Sequence, residues 1–296
     1  MKTKLISKKR AILPFNWRSE VENIEVDAID DDVILLDKPI ISSAFQYPFK
    51  MDVTAIIICT KGKTEGCINL KPYTTNGACL FTILPGQIME YKSVSDDFSG
   101  LFIVMSNRFT DSLMSNASER LPLSISVREK PVTPLNEDTM NGIIIYFDMM
   151  RRIIREKNHP YRLEVARHLT LAFFYGACVD FHETSNDKKM THHETIAEKF
   201  LNLVQINYKK ERGLEFYANK ICVSSKHLAK IIKKISGKAA NEWIDEHVVL
   251  EAKALLKSTN MTIEQISEEL NFPSQSFFGK YFKRVTGMSP KEYKQK

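Results

Sequence analysis

Lys230, Lys233 and Lys234 recur fifty positions later as Lys280, Lys283 and Arg284. Lys and Arg make charge-assisted hydrogen bonds to phosphate, so a repeated set of them is suited to tracking a polyanion. The ten-residue stretches around them, 228–237 and 278–287, match at every position. Apolar meets apolar at Leu228/Phe278, Ile231/Tyr281, Ile232/Phe282 and Ile235/Val285, and Gly237 meets Gly287. Upstream, Ile221 and Val223 match Leu270 and Phe272 at a separation of forty-nine, so the second copy carries one extra residue in its turn.

Other chemistry-bearing residues make weaker constellations. His192-His193-Glu194 resembles the start of a zinc motif, but Ala197 stands where the second histidine of H-E-x-x-H belongs. Thr191 followed by Glu194 reads instead as a capping box opening a helix to about Tyr208. Cys59, Cys67 and Cys79 lie within apolar runs without metal-type spacing and read as small buried hydrophobes. Residues 11–106 contain no histidine, and Glu65 and Glu90 alone make a poor metal site. The chain is therefore expected to hold no metal or cofactor and not to be an enzyme.

The repeated residues need helices to position them. Leu214, Tyr217, Ala218 and Ile221, and likewise Ile263, Ile266, Ser267 and Leu270, share one face of a short helix. A turn follows, with Asn271 suited to a left-handed backbone and with Ser224 and Ser274 as N-caps. The second helix of each copy ends at Gly237 or Gly287. Helix, tight turn and basic second helix is the plan that reads a DNA major groove. Packing of Leu228, Ile231, Ile232 and Ile235 turns Lys226, Ala229, Lys230, Lys233 and Lys234 outward. The outward set of the second copy is Gln275, Ser276, Gly279, Lys280, Lys283 and Arg284. Ala229 and Gly279 allow a close approach to base edges, and the later Lys and Arg residues reach phosphates. Charge follows the repeat: residues 191–296 hold 18 Lys+Arg against 12 Asp+Glu, while the first 190 hold 24 of each.

This stretch resembles the DNA-binding domain of the AraC/XylS transcription regulators, in which a long helix joins two helix-turn-helix units. The most specific pieces are 266–272, 277–284 and 287–293, the last reading Gly287-Met288-Ser289-Pro290-Lys291-Glu292-Tyr293. The resemblance implies a first unit at about 214–237, a joining helix at 241–257 and a second unit at about 262–287. The joining helix would bury Ile244, Val248, Ala252 and Leu255. It also implies base reading by Lys226, Ala229, Lys230, Gln275, Ser276, Gly279 and Lys280. Phosphate contacts would fall to Lys233, Lys234, Lys283, Arg284 and Lys291. The chain departs from the family in carrying Cys222 and Asn271 where a turn glycine is usual, and Ala240 where the second copy has Pro290.

Ahead of the repeat, residues 11–106 alternate β-branched and aromatic runs with turns. Candidate strands are 33–36, 52–60, 66–70, 79–84, 88–92 and 98–105, and turns are expected at 61–63, 71–72, 76–77, 85–86 and 95–97. Even spacing of short strands suggests a barrel or a double-sheet jelly roll. Joined to the C-terminal stretch, it resembles the family's cupin-like sensor barrel. Its interior is a candidate effector pocket, with Phe49, Phe81, Met89, Tyr91 and Phe102 as lining residues or ordinary core. Helices are expected at 108–114, 136–156 and 161–181, the last two carrying broad apolar stripes.

The fold class expected is α+β in two domains: a cupin-like β-barrel with flanking helices, then an all-α domain with two helix-turn-helix motifs. The sensor domain spans 11–182 (barrel about 11–106, helices 107–182), the linker 183–190 and the DNA-binding domain 191–296. At 296 residues, 43% hydrophobic and 26% charged, the composition suits two folded domains. No apolar run approaches a bilayer span of about 20 residues, residues 1–10 lack a leader's apolar core, and five cysteines suit a reducing cytoplasm. The expected partners are double-stranded promoter DNA, an unidentified small-molecule effector, a second copy of the chain in a homodimer and bacterial RNA polymerase, with no membrane. The alternatives are a constitutive DNA-binding protein with a structural barrel and, with no nucleophile–base constellation behind it, a barrel enzyme.

Overall fold

The computed structural model describes residues 26–37, 48–114, 120–181 and 191–295. The basic N-terminus at 1–10, the first barrel residues at 11–25 and the 183–190 linker lie outside the described residues. The chain divides into two compact units, one within 14–190 and one containing 191–296.

The first unit holds strands β1 (Asp27–Ile29), β2 (Val33–Leu36), β3 (Phe49–Lys50), β4 (Thr54–Lys61), β5 (Lys63–Ile68), β6 (Lys71–Asn76), β7 (Cys79–Ile83), β8 (Ile88–Val94), β9 (Ser99–Met105) and β10 (Val132–Pro134). They form a six-stranded sheet, β1-β2-β9-β4-β7-β10, and a four-stranded sheet, β3-β8-β5-β6. Every pairing among them is antiparallel. Among the described residues no ladder joins the two sheets, so of the two arrangements open to evenly spaced strands the double sheet is the one described.

The six-stranded sheet is buried on both faces. Ile34, Leu36, Ala55, Cys59, Cys79, Phe81 and Ile83 pack with Phe49, Ile68 and Met89 of the other sheet. Their strand neighbours Val33, Leu35, Ile56, Ile58, Leu80, Ile103 and Met105 face helices α1 (Asn107–Met114), α3 (Glu137–Arg155) and α4 (Arg162–Phe181) through Phe109, Ile143, Phe147, Met150 and Ala166. A strand covered on both sides has no need to alternate, which accounts for continuous runs such as Val33-Ile34-Leu35-Leu36.

Three features differ from the sequence expectation. The turn placed at 71–72 belongs instead to Asn69 and Leu70, both with positive φ (51° and 63°), a two-residue hairpin connection. Lys71 and Pro72 begin β6, and because β6 is an edge strand the missing proline N–H removes no ladder bond. Helix α2 (Arg120–Glu129) was not expected; Pro122 lies in its first turn, where an N–H has no intrahelical partner. The short strands β1, β3 and β10 carry too few residues to show a period.

The second unit opens with α5 (His192–Asn207), whose Thr191 N-cap and Glu194 form the expected capping box. It continues with α6 (Leu214–Ile221), α7 (Ser225–Ser236), α8 (Ala240–Ser258), α9 (Ile263–Glu269), α10 (Gln275–Thr286) and α11 (Pro290–Gln295). Buried Phe200, Tyr217, Leu228, Ile231, Ile232, Ile244, Val248, Ala252, Leu255, Ile266, Phe278 and Phe282 make its interior. Cys222 and Asn271 hold the same left-handed turn conformation, φ 61° and 53°, at equivalent places in the two copies. The repeat runs past the glycines. Glu242 accepts the Ala239 N–H as α8 begins (2.7 Å), and Glu292 accepts that of Ser289 as α11 begins (2.6 Å).

Candidate nucleic-acid interface

The second helix of each copy, α7 and α10, is positioned by caps at both ends. The Ser224 side chain accepts the His227 N–H, the Ser274 side chain accepts the Phe277 N–H, and Gly237 and Gly287 close the helices in the left-handed conformation. Leu228, Ile231 and Ile232 bury one face of α7, and Phe278 and Phe282 bury that of α10. Aromatic contacts hold α10 in place: Phe272 meets Phe278 at 5.3 Å and Tyr281 at 5.1 Å, and Phe282 meets Tyr293 at 5.6 Å.

The outward positions are therefore shared by both helices. Lys226, Lys230, Lys233 and Lys234 on α7 are exposed, as are Gln275, Ser276, Lys280, Lys283 and Arg284 on α10 and Lys291 on α11. Ala229 and Gly279 are half-buried at the helix shoulder, and the space beside Gly279 is open. The α10 face offers amide and hydroxyl groups at its start and cations towards its end, whereas α7 carries cations from its first turn onward. Both offer a small residue between, and such groups suit base-edge and phosphate contact.

Two features depart from the expected symmetry. Val285, counted on the apolar stripe, is exposed while Ile235 is half-buried. Arg284 does not stand free. Its Nη2 lies 3.2 and 3.3 Å from the Asp245 carboxylate of α8, and its guanidinium lies 5.0 Å from the Tyr281 ring centre. Tyr281 donates to the same carboxylate at 2.5 Å, and burial with the negative neighbour pushes its phenol pKa up. The equivalent residues of α7, Ile231 and Lys234, cannot make this arrangement.

Sequence reasoning left out His227 and Phe277, which occupy the same repeat position in the first turn of α7 and of α10. Both are exposed, Phe277 by 63%. The signal that could have found them is their adjacency to Lys226 and Ser276. Asp245 carried no sequence signal, because its partners lie 36 and 39 residues away.

In the first unit the five candidate pocket residues do converge. Phe49, Phe81 and Met89 are buried between the sheets, with Tyr91 and Phe102 packed against the same cluster. Phe49 stacks on Tyr91 at 6.4 Å, and Tyr73, not expected there, meets Phe81 edge-on at 5.2 Å. Burial pushes the Tyr73 phenol up to about 12 and raises that of Tyr91 as well. Among the described residues no group of three His, Cys, Asp or Glu could hold a metal ion, and no helix is long and apolar enough to cross a membrane.

Residues 217–296 match a family model described as a helix-turn-helix domain. Over 288 residues the chain is 22% identical to the HTH-type transcriptional activator RhaR of Escherichia coli O139:H28, covering 91% of this chain and 96% of that protein. RhaR of Shigella boydii serotype 4 matches with the same identity and coverage. Among solved structures, fatty acid-bound ToxT of Vibrio cholerae is 19% identical with a TM-score of 0.39, covering 89% of this chain and 93% of that one. The C-terminal domain of AraT from Geobacillus stearothermophilus is 25% identical with a TM-score of 0.33, covering 36% and 88%.

Proposed function

We propose that this chain, a DNA-binding transcription regulator of the AraC/XylS type, reads two half-sites of promoter DNA with α7 and α10 and is controlled by a small molecule at its N-terminal double sheet. The observation that carries the reading is the paired presentation of α7 and α10. Two capped helices of one compact unit turn the same repeated basic positions outward. Two such helices entering successive major grooves imply half-sites about 10 bp apart. Base edges would be read by Lys226, Ala229, Lys230, Gln275, Ser276, Gly279 and Lys280, and phosphates held by Lys233, Lys234, Lys283, Arg284 and Lys291. The aromatic interior around Phe49, Phe81, Met89, Tyr91 and Phe102 is the proposed effector site. Similarity over 91% of the chain to proteins named as transcriptional activators supports control of transcription. On this proposal the chain acts in the bacterial cytoplasm as a homodimer working with RNA polymerase, without catalysis.

The test is selection of full-length protein against random duplex DNA at near-physiological salt, followed by sequencing. Enrichment of two short motifs about one helical turn apart is the expected result. Binding that is only salt-sensitive, with no motif even when a metabolite panel is present, refutes the reading. A second reading is favoured by one observation: Phe49, Phe81 and Met89 are as buried as an ordinary core. In that case the double sheet is structural and DNA binding is constitutive. Thermal stabilisation of the full chain by one compound of the panel excludes that version.

A further inference from the structure

Helix α8 joins the two helix-turn-helix units covalently, and a cluster of side chains joins them a second time. Arg212, in the loop before α6, reaches the turn of the second unit. Its Nη1 donates to the carbonyls of Leu270 at 2.7 Å and Lys209 at 3.0 Å, and its Nη2 to that of Asn271 at 2.5 Å. The guanidinium lies 4.0 Å from the ring centre of Phe272, which itself packs on Phe278 and Tyr281 of α10. Beside it the Lys209 ammonium bridges Glu251 of α8 at 2.9 Å and Glu269, the last residue of α9, at 3.0 Å. Tyr208 donates to Glu251 at 2.9 Å, so this buried carboxylate is satisfied from the segment that leads into the first helix-turn-helix.

Repeat symmetry does not supply this clamp. Position 261, the counterpart of Arg212, is a methionine, and its carbonyl is taken by Lys294. The clamp thus serves the relation between the units rather than the fold of either one. Leu270 and Asn271 are the residues from which α10 is launched, so whatever holds them to the first helix-turn-helix also sets the pose of α10 relative to α7. A planar guanidinium with its donors split between neighbouring carbonyls, and its face against a ring, leaves little rotational freedom.

We propose that Arg212 is a positioning residue for DNA recognition: by clamping the turn of the second helix-turn-helix to the entry of the first, it sets the spacing between the two half-sites that one chain accepts. The proposal rests on the reading of α7 and α10 as recognition helices. Inserting one base pair between half-sites moves the second by about 3.4 Å and turns it by about 34°. A clamped pair of helices cannot follow that movement, whereas a pair joined through α8 alone can follow part of it.

The test uses full-length protein and duplexes carrying the selected motifs at their preferred spacing, at that spacing plus or minus one base pair, and as a single half-site. For the unaltered chain, a one-pair change is expected to weaken binding by about thirtyfold. In Arg212→Met, and in Arg212→Lys, which keeps the charge but loses the planar face and its paired donors, the penalty is expected to fall to about fivefold or less, with single half-site binding changed by less than about twofold. An unchanged spacing penalty in a folded variant overturns the proposal. So does failure of both variants to fold, because Arg212 would then be a folding residue. If the unaltered chain selects no paired motif, the functional reading fails with it; if it does and the variants keep its discrimination, only this inference fails.

Discussion

Replacing Lys233 by alanine separates a phosphate-tracking face from an ordinary solvated one. Lys233 is exposed on the last turn of α7, beyond the residues proposed to face base edges. Each phosphate neutralised on duplex DNA contributes about −0.9 to the slope of log affinity against log salt. Contacts from Lys233, Lys234, Lys283, Arg284 and Lys291 together predict a slope near −4.5, so raising salt from about 50 to 200 mM weakens binding by about 500-fold. Without Lys233 the slope becomes about −3.6 and the loss about 150-fold, so the advantage of the unaltered chain shrinks about 3.5-fold across that range. Arg284 is expected to behave differently because Asp245 already neutralises part of its charge. Arg284→Ala should flatten the slope by less than Lys233→Ala does, and Asp245→Asn should steepen it. The assay is fluorescence anisotropy on a labelled duplex carrying the selected motifs, titrated at five salt concentrations. A Lys233→Ala protein with the slope and affinity of the unaltered chain refutes the assignment of this face to DNA.

Three further outcomes follow from named contacts. Cys222 holds a left-handed backbone that costs an L-residue about 1 kcal/mol, so Cys222→Gly is expected to raise stability by up to that amount in urea denaturation; a lowered midpoint contradicts the strain argument. Glu251 is 4% exposed and accepts from both Tyr208 and Lys209, so Glu251→Ala is expected to cost about 3 kcal/mol, and an unchanged denaturation midpoint removes the clamp's stabilising part. Burial alone would raise the Asp32 pKa, but hydrogen bonds from Arg108 and Ser106 outweigh it and hold the carboxylate below its usual value. A depressed carboxylate stabilises the fold above its unfolded pKa, and that stability is lost as pH falls through the folded value. Asp32→Asn should therefore lower the melting temperature at pH 6, with the deficit closing below about pH 4; a deficit independent of pH assigns it to packing instead.

Much of the DNA-binding unit was legible because its signals are local. The Thr191–Glu194 capping box, the serine N-caps and the C-terminal glycines each act within four residues of the backbone groups they satisfy, so the sequence order is also the spatial order. The fifty-residue repeat then placed the outward lysines without reference to any partner. The double sheet was legible only in part. The central strands are long and apolar, whereas β1, β3 and β10 are two or three residues long and exist because a neighbouring strand offers ladder bonds. Pro72 read as a turn because its lack of an N–H counts against a strand, and only the edge position of β6 makes that lack harmless.

Periodicity and caps were enough by themselves to determine two helix-turn-helix units, a β-rich half of apolar strands, and the basic residues turned outward; the long joining helix rested on the family resemblance. The tertiary structure alone decided which of those charges are available and how the units are held together. Asp245 engages Arg284 and leaves Lys283 to solvent, while Arg212 and Lys209 cross from the entry of the first helix-turn-helix to the turn and helix end of the second. These pairs lie 39 to 60 residues apart in sequence. No periodic or capping rule relates positions so distant. They meet because burying both apolar helix faces against α8 brings the loop before α6 alongside the turn before α10.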